Sequence, residues 1–260
     1  MKNEMKIILN RVPEITIFFW IIKILATTVG ETAADFLNVN LNLGLTATSY
    51  LMASLLVVAL LVQFIVIKKY VPASYWIAVV LMSIVGTLIT DNLVDNLGVS
   101  LETTTIAFSI ALITVFAGWY WSEKTLSVHT IFTGKRELFY WAAILFTFAL
   151  GTASGDLLAE GLNLGYAISG LLFAGVIGLI AFAHFYFKMD AILSFWLAYI
   201  LTRPLGASIG DLLSQAPADG GLGLGTVGTT MIFLLTILIL VVYLSVTKKD
   251  QTLLAEAAEL

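Results

Sequence analysis

Apolar residues fill long stretches of this chain, and polar residues gather in short segments between them. The stretches Thr46–Val66 and Thr230–Val246 contain no charged residue. An α-helix rises about 1.5 Å per residue, so such stretches can cross a hydrocarbon core about 30 Å thick. Eight such elements predict an all-α polytopic membrane protein. The composition agrees, because a soluble domain needs more polar surface than a chain that is 60% hydrophobic and 12% charged can supply.

A fourfold internal repeat organises these elements. In each copy an aromatic residue and a tryptophan open an apolar helix, and a glycine and an aspartate follow at fixed spacing. A short turn ending in Leu-Gly then leads to a second helix. The unit is therefore a helical hairpin, and its four copies share one orientation because each crosses the membrane twice. The aligned segments are Phe19–Asp35, Tyr75–Asp91, Tyr140–Asp156 and Phe195–Asp211.

The repeats group into two halves. The turn Leu41–Gly44 of the first copy has the same sequence as Leu162–Gly165 of the third. We interpret this as two successive duplications, which predict two four-helix halves related by a pseudo-two-fold axis along the membrane normal. The predicted boundaries are residues 1–121 and 137–249 for the halves, 122–136 for a cytoplasmic linker and 250–260 for an acidic tail.

This pattern resembles a bacterial membrane-protein family of unknown function that is defined by four tandem repeats. Each repeat of that family has two transmembrane segments and a characteristic tryptophan. The matching tryptophans here are Trp20, Trp76, Trp141 and Trp196. The resemblance implies the fold and says nothing of a substrate.

The basic residues predict the orientation. Eleven of the 13 lysines and arginines lie at the chain ends or between hairpins, and the turns inside the hairpins have none. By the positive-inside rule, both termini and the inter-hairpin loops are cytoplasmic. We therefore expect a multi-pass protein of the bacterial inner membrane.

Acidic residues within the apolar helices are the candidate site. Glu31, Asp95 and Glu160 lie one helical turn from a repeated aspartate, on the same helix face. Arg203 is the basic counterpart and has no charged equivalent in the other copies. Carboxylate and hydroxyl oxygens suit protons and hard cations such as Mn²⁺, Ca²⁺, Mg²⁺ or Na⁺. The predicted metal ligands are the repeated aspartates Asp35, Asp91, Asp156 and Asp211.

Each of these residues also has a structural interpretation. The acids could be hydrated groups that cap the junctions between helix and turn. The tryptophans fit a role as interfacial anchors or packing wedges, and Lys23 could extend its ammonium group to the membrane surface. The repeated glycines each begin a small-xxx-small motif that allows close helix packing; they are Gly30, Gly86, Gly151 and Gly206.

The predicted function is proton-coupled transport or export of a small hard cation through the aspartate cluster. A transporter of a small organic solute that uses Arg203, and a scaffold or partner subunit without transport, remain alternatives. No enzymatic motif, phosphate-binding loop or nucleic-acid-binding arm is present, and the absence of cysteine excludes thiolate metal sites. The expected partners are the lipid bilayer and a small cation or solute, with a bound divalent cation as the one cofactor considered.

Overall fold

Eight long helices make up the protein. The computed structural model describes residues 10–251, and within that range all regular structure is helical. The nine last residues of the predicted acidic tail lie outside the described range. The helices are α1 (Ile17–Asp35), α2 (Leu45–Leu61), α3 (Pro72–Asp91), α4 (Leu101–Glu123), α5 (Gly134–Asp156), α6 (Tyr166–Phe187), α7 (Ala191–Ser214) and α8 (Gly225–Thr247).

Short π-helical and 3₁₀-helical segments accompany these helices. A π-helical turn extends α1, α2, α3 and α5, at Phe36–Asn40, Val62–Ile67, Asn92–Asn96 and Leu157–Gly161. Single 3₁₀ turns lie at Val128–Thr130, before α5, and at Pro217–Asp219, before α8. With its extension, each of the eight helices is long and apolar enough to span a membrane.

The first helices of the four repeats form a closed ring. In this ring α1 and α5 each pack against both α3 and α7. An apolar stretch of 18 residues in each of these inner helices is 56–67% buried, whereas the corresponding stretch in the outer helices α2, α4, α6 and α8 is 11–28% buried. The inner helices therefore form the core of the protein, and the outer helices face the membrane.

Each outer helix packs mainly against the inner helix of the following repeat. The pairs are α2 with α3, α4 with α5 and α6 with α7, and α8 closes the circle on α1. The hairpins consequently interlock instead of standing as separate units. The inner helices α3 and α5, on either side of residues 122–136, pack together as the other neighbouring inner helices do. The four repeats therefore have equivalent packing, and their grouping into two halves stays a prediction.

The two ends of the bundle have different repeated features. We name the end with the turns inside the hairpins the turn end. There, the glycine that ends the Leu-Gly turn leading into each outer helix has a φ of +67° to +74°, which glycine adopts without steric cost. At the opposite end, here named the linker end, a lysine with a φ of +51° to +59° terminates each outer helix. A cation there is favoured by the negative end of the helix dipole. These lysines are Lys68, Lys124, Lys188 and Lys248.

The outer surface is a belt of large apolar side chains. Ile113 is 66% exposed, Leu171 73% and Val246 77%. Helices satisfy their own backbone hydrogen bonds, so such a belt is stable in hydrocarbon. The protein is a multi-pass membrane protein with four tandem helical hairpins.

Candidate functional site

The repeated glycines lie where neighbouring inner helices touch. A methyl group added at any of them would come within 2.6 Å of the next helix of the ring, closer than packed atoms approach. Small residues at these positions let the helix backbones come together. The contacts run in one direction around the ring: Gly30 on Ser83, Gly86 on Phe148, Gly151 on Arg203 and Gly206 on Thr27.

A layer of aromatic rings fills the ring of helices toward the linker end. The aromatic residue that precedes the tryptophan of each inner helix packs on the tryptophan of the next helix of the ring, with ring centroids 5.6–6.3 Å apart. Three of the four tryptophans are buried and Trp20 is half-buried. The tryptophans thus lie at helix contacts inside the protein. The pairs are Phe19–Trp76, Tyr75–Trp141, Tyr140–Trp196 and Phe195–Trp20.

Arg203 lies at the centre of the bundle, fully buried. Its Nη2 donates to Glu31 Oε2 at 2.9 Å and to Thr152 Oγ1 at 2.7 Å, and it also donates to the hydroxyl of Thr87. Glu31 is 6% exposed. A single guanidinium group from α7 therefore joins α1, α3 and α5. Its stem passes directly over Gly151, which has no side chain to block it.

Lys23 is also fully buried, so the expectation that it reaches the membrane surface is wrong. Its Nζ lies 4.2 Å from the ring centroids of both Phe148 and Tyr199. The ammonium group makes no hydrogen bond to any described residue. The faces of the two rings supply the compensating negative potential. Lys23 is buried because it lies on the inward face of α1, one helical turn from Thr27 and two from Glu31.

The four repeated aspartates lie in the last turn of the inner helices, at the turn end. Asp211 is buried and the other three are half-buried. Glu31 is an electrostatic neighbour of all four, so the aspartates and Glu31 lie in one region of the turn end. Gln215 Nε2 donates to Asp35 Oδ2 at 3.3 Å, which is a direct contact between the first and last inner helices.

Asp95 and Glu160 lie at the rim of this centre. Both are exposed, and Glu160 accepts a hydrogen bond of 3.0 Å from the hydroxyl of Tyr166. Glu160 still acts electrostatically on Asp35, Asp156 and Asp211, and Asp95 on Asp35 and Asp91. We name the seven acids together the acidic mouth: Glu31, Asp35, Asp91, Asp95, Asp156, Glu160 and Asp211.

The acidic mouth does not form a ready coordination shell. Within residues 10–251, no group of three or more histidine, aspartate or glutamate side chains is placed to hold a metal ion. The predicted metal ligands Asp35, Asp91, Asp156 and Asp211 belong to four separate helices, and their mutual repulsion opposes closer approach. The carboxylates are gathered into one region without a preformed metal site.

Thr87 and Thr152 belong to the centre and were not among the predicted site residues. Each directly follows the glycine of its repeat, as Glu31 does in the first copy. Aligning the repeats by their glycines places these polar residues in one column, so the signal was present in the sequence.

The comparisons with known proteins agree with this architecture. The model of a family described as Repeat of Unknown Function (DUF347) matches residues 18–68, 74–125, 139–190 and 194–250. No curated protein and no solved structure matches the chain. The four matches coincide with the four hairpins and cover most of the sequence. The chain therefore belongs to the DUF347 repeat family.

Proposed function

We propose that this protein is a proton-coupled transporter of a small hard cation, with the acidic mouth at its entrance and the Arg203–Glu31 pair at its centre. The protein would lie in the bacterial inner membrane with its linker end in the cytoplasm. The distribution of lysine and arginine supports that orientation, because it places eleven of 13 basic residues at the linker end or in the chain termini.

The observation that carries this proposal is the convergence of the acids. Four aspartates from four different helices are electrostatic neighbours of Glu31 near the turn end of the ring. Seven acids face two buried bases, Lys23 and Arg203, which leaves an excess of five negative charges when all are ionised. Such a region attracts cations and protons. Five of the seven acids are buried or half-buried, and apolar residues would serve packing better at those positions.

The central ion pair supports a gating role. Arg203 neutralises Glu31 in the conformation seen here, and the aromatic layer closes the ring toward the linker end. A cation or proton that neutralised Glu31 would release Arg203 from it. We therefore expect the paired arrangement in the state without substrate, with the aromatic layer closing the linker end.

Flux measurements on purified protein in liposomes test the proposal. A panel of Mn²⁺, Ca²⁺, Mg²⁺ and Na⁺ gradients is applied, and proton movement is followed with an internal pH dye. We expect one cation to drive proton flux in the parent protein, and we expect Asp91→Asn and Asp156→Asn to abolish it. Asp219→Asn is the matched control, because Asp219 is exposed in the last turn. Normal flux in both mouth variants would refute the proposal.

A second candidate function rests on Lys23. This buried ammonium group has no hydrogen-bonding partner among the described residues and is an electrostatic neighbour of Arg203. Two adjacent cationic groups suit the carboxylate or phosphate of a small organic solute. A competition assay separates the two candidates, because an organic anion would be transported without any metal ion. Absence of flux with every solute would favour the scaffold alternative.

A further inference from the structure

A row of buried titratable side chains runs from the linker end to Lys23. Each comes from a different part of the fold, and none is more than 8% exposed. Asp250 follows α8, Tyr70 lies in the loop before α3, and the others belong to inner helices α3, α5 and α7. The row is Asp250, Tyr70, Tyr75, Tyr140 and Tyr199.

Two links of the row are direct hydrogen bonds. The hydroxyl of Tyr70 donates to Asp250 Oδ2, and the hydroxyls of Tyr75 and Tyr140 bond to one another. Between these links the rings of Tyr70 and Tyr75 are in contact, with centroids 5.6 Å apart. The first four members therefore form a continuous path of side chains from the linker end into the aromatic layer.

Tyr199 connects this path to the centre. Its hydroxyl is an electrostatic neighbour of the Tyr140 and Tyr75 hydroxyls, but it has no partner at hydrogen-bonding geometry among the described residues. Its ring face lies 4.2 Å from Lys23 Nζ. Lys23 in turn is an electrostatic neighbour of Arg203, which bonds to Glu31. The row thus ends beside the ion pair to which the acidic mouth converges.

Packing alone does not require these hydroxyls. Tyr75 and Tyr140 occupy the position that Phe19 and Phe195 fill in the other two copies. All four rings pack on a tryptophan in the same way. A buried hydroxyl destabilises the folded state unless it is hydrogen-bonded. The repeat therefore accepts phenylalanine here, and the two hydroxyls are additions to a complete packing arrangement.

We propose that this row is a proton relay between the linker end and the central site. The inference deepens the proposed function, because it supplies the path of the coupling proton. In one direction, the ammonium group of Lys23 gives a proton to the Tyr199 oxygen. Each tyrosine accepts one proton and passes on its own, and the Asp250 carboxylate receives the last. Lys23 becomes an amine, Asp250 becomes an acid, and every tyrosine ends as it began.

Three links are indirect and are the points of control. One is the step from Lys23, which lies over the ring of Tyr199 without a hydrogen bond to its hydroxyl. Between Tyr70 and Tyr75, and between Tyr140 and Tyr199, the hydroxyls are neighbours without a direct hydrogen bond. A water molecule, or rotation of a hydroxyl, completes the path at each point. The neighbouring acid Glu137 is not part of the row, since it pairs with Arg11 and accepts a bond from Trp141.

Hydroxyl exchange tests the relay without any assumption about transport. The ¹³Cζ resonance of a tyrosine differs between its OH and OD forms, so exchange spectroscopy in mixed water measures the rate at which each hydroxyl exchanges with solvent. Tyr75→Phe and Tyr140→Phe assign the resonances. We expect measurable exchange at Tyr75 and Tyr140 despite their burial, slowed at least about tenfold by Asp250→Asn, which corresponds to a barrier higher by about 1.4 kcal/mol.

Asp219→Asn, which makes the same chemical change at the turn end, serves as the control and is expected to leave both exchange rates unchanged. The relay would be overturned if the two hydroxyls failed to exchange in the parent protein. It would equally be overturned if Asp250→Asn left their rates unchanged.

A flux arm separates this inference from the proposed function. In liposomes, Tyr75→Phe and Tyr140→Phe are expected to slow cation-driven proton flux at least about tenfold while cation-induced thermal stabilisation stays unchanged. Tyr50→Phe is the control, since Tyr50 is 74% exposed on an outer helix. Relay-dependent exchange without flux of any ion would refute transport and keep the relay. Normal flux in both variants, with exchange indifferent to Asp250, would refute the relay and keep transport.

Discussion

The buried Arg203–Glu31 pair makes the sharpest prediction for stability. We consider three variants: Arg203→Gln, Glu31→Gln and the double variant. Each single change removes one charge of a pair whose side chains are 0% and 8% exposed. The double change removes both charges and keeps side chains able to form a hydrogen bond with each other. The comparison therefore isolates the cost of leaving one charge alone in the interior.

The magnitude follows from the contacts. In Arg203→Gln, the only described hydrogen bond left to the Glu31 carboxylate is a 3.5 Å bond from the Thr87 hydroxyl. In Glu31→Gln, the guanidinium group keeps two threonine hydroxyls and loses its counter-charge. Breaking a buried pair from either side costs about 3–5 kcal/mol, whereas neutral replacement of both partners costs little. We expect the double variant to be no less stable than either single variant, with a coupling energy of at least about 3 kcal/mol.

Reversible unfolding in mixed micelles with increasing sodium dodecyl sulfate measures these free energies. The six tryptophans report the transition by fluorescence. Lys135→Gln is the control, because its 3.3 Å contact with Glu123 is at the surface, where Lys135 is 62% exposed. An exposed pair contributes about 0–1 kcal/mol. Additive effects in the double variant, or single effects as small as that of the control, would refute the assignment of Arg203 and Glu31 as a buried pair.

Two further predictions concern packing and pH. Gly86→Ala places a methyl group 2.6 Å from Phe148 Cβ and is expected to destabilise the protein by about 1–3 kcal/mol in the same unfolding assay. Gly178→Ala meets nothing within 4 Å and should be neutral or stabilising, so equal losses would contradict the close helix contact. Burial raises the pKa of the Asp250 carboxyl, so the folded state binds its proton more tightly than the unfolded state does. The parent should therefore lose stability relative to Asp250→Asn as the pH rises through that raised pKa. Melting temperatures of both proteins from about pH 4 to about pH 8 measure the difference, and a constant difference would contradict it.

The repeated frame of the molecule, meaning its four hairpins with their shared glycines, tryptophans and aspartates, could be predicted from the sequence because the same pattern occurs four times. One glycine or tryptophan in an apolar helix has many explanations, whereas four at fixed spacing indicate a shared contact. The structure places all four glycines at such contacts. The Leu-Gly turns were likewise readable, since glycine accepts the positive φ of these turns without steric cost.

The neighbours of each helix could not be read in this way. A hairpin suggests that its two helices pack together, yet α2 lies mainly on α3 and α8 on α1. The turn fixes connection and direction, but the partner of an outer helix is decided by which inner helix offers a matching apolar surface. The partner of Arg203 was hidden for the same reason: Glu31 lies 172 positions away in the chain, and only closure of the ring brings α7 beside α1.

The strongest argument for the proposed function is that the repeated frame is the same in all four copies whereas the residues facing the interior differ. Glycine, tryptophan and aspartate recur in all four copies, while the two inward-facing positions between the tryptophan and the glycine differ. One of them holds Thr27, Ser83, Phe148 and Arg203, and the other holds Lys23, Val79, Ile144 and Tyr199. If the interior served packing alone, equivalent positions in a symmetric ring would favour equivalent apolar residues. Instead one copy supplies the guanidinium group, another supplies the ammonium group with Glu31, and the middle copies supply the hydroxyls of Thr87 and Thr152. A symmetric scaffold thus contains an asymmetric polar centre that its packing does not require, and this centre supports the proposed transport of a charged species.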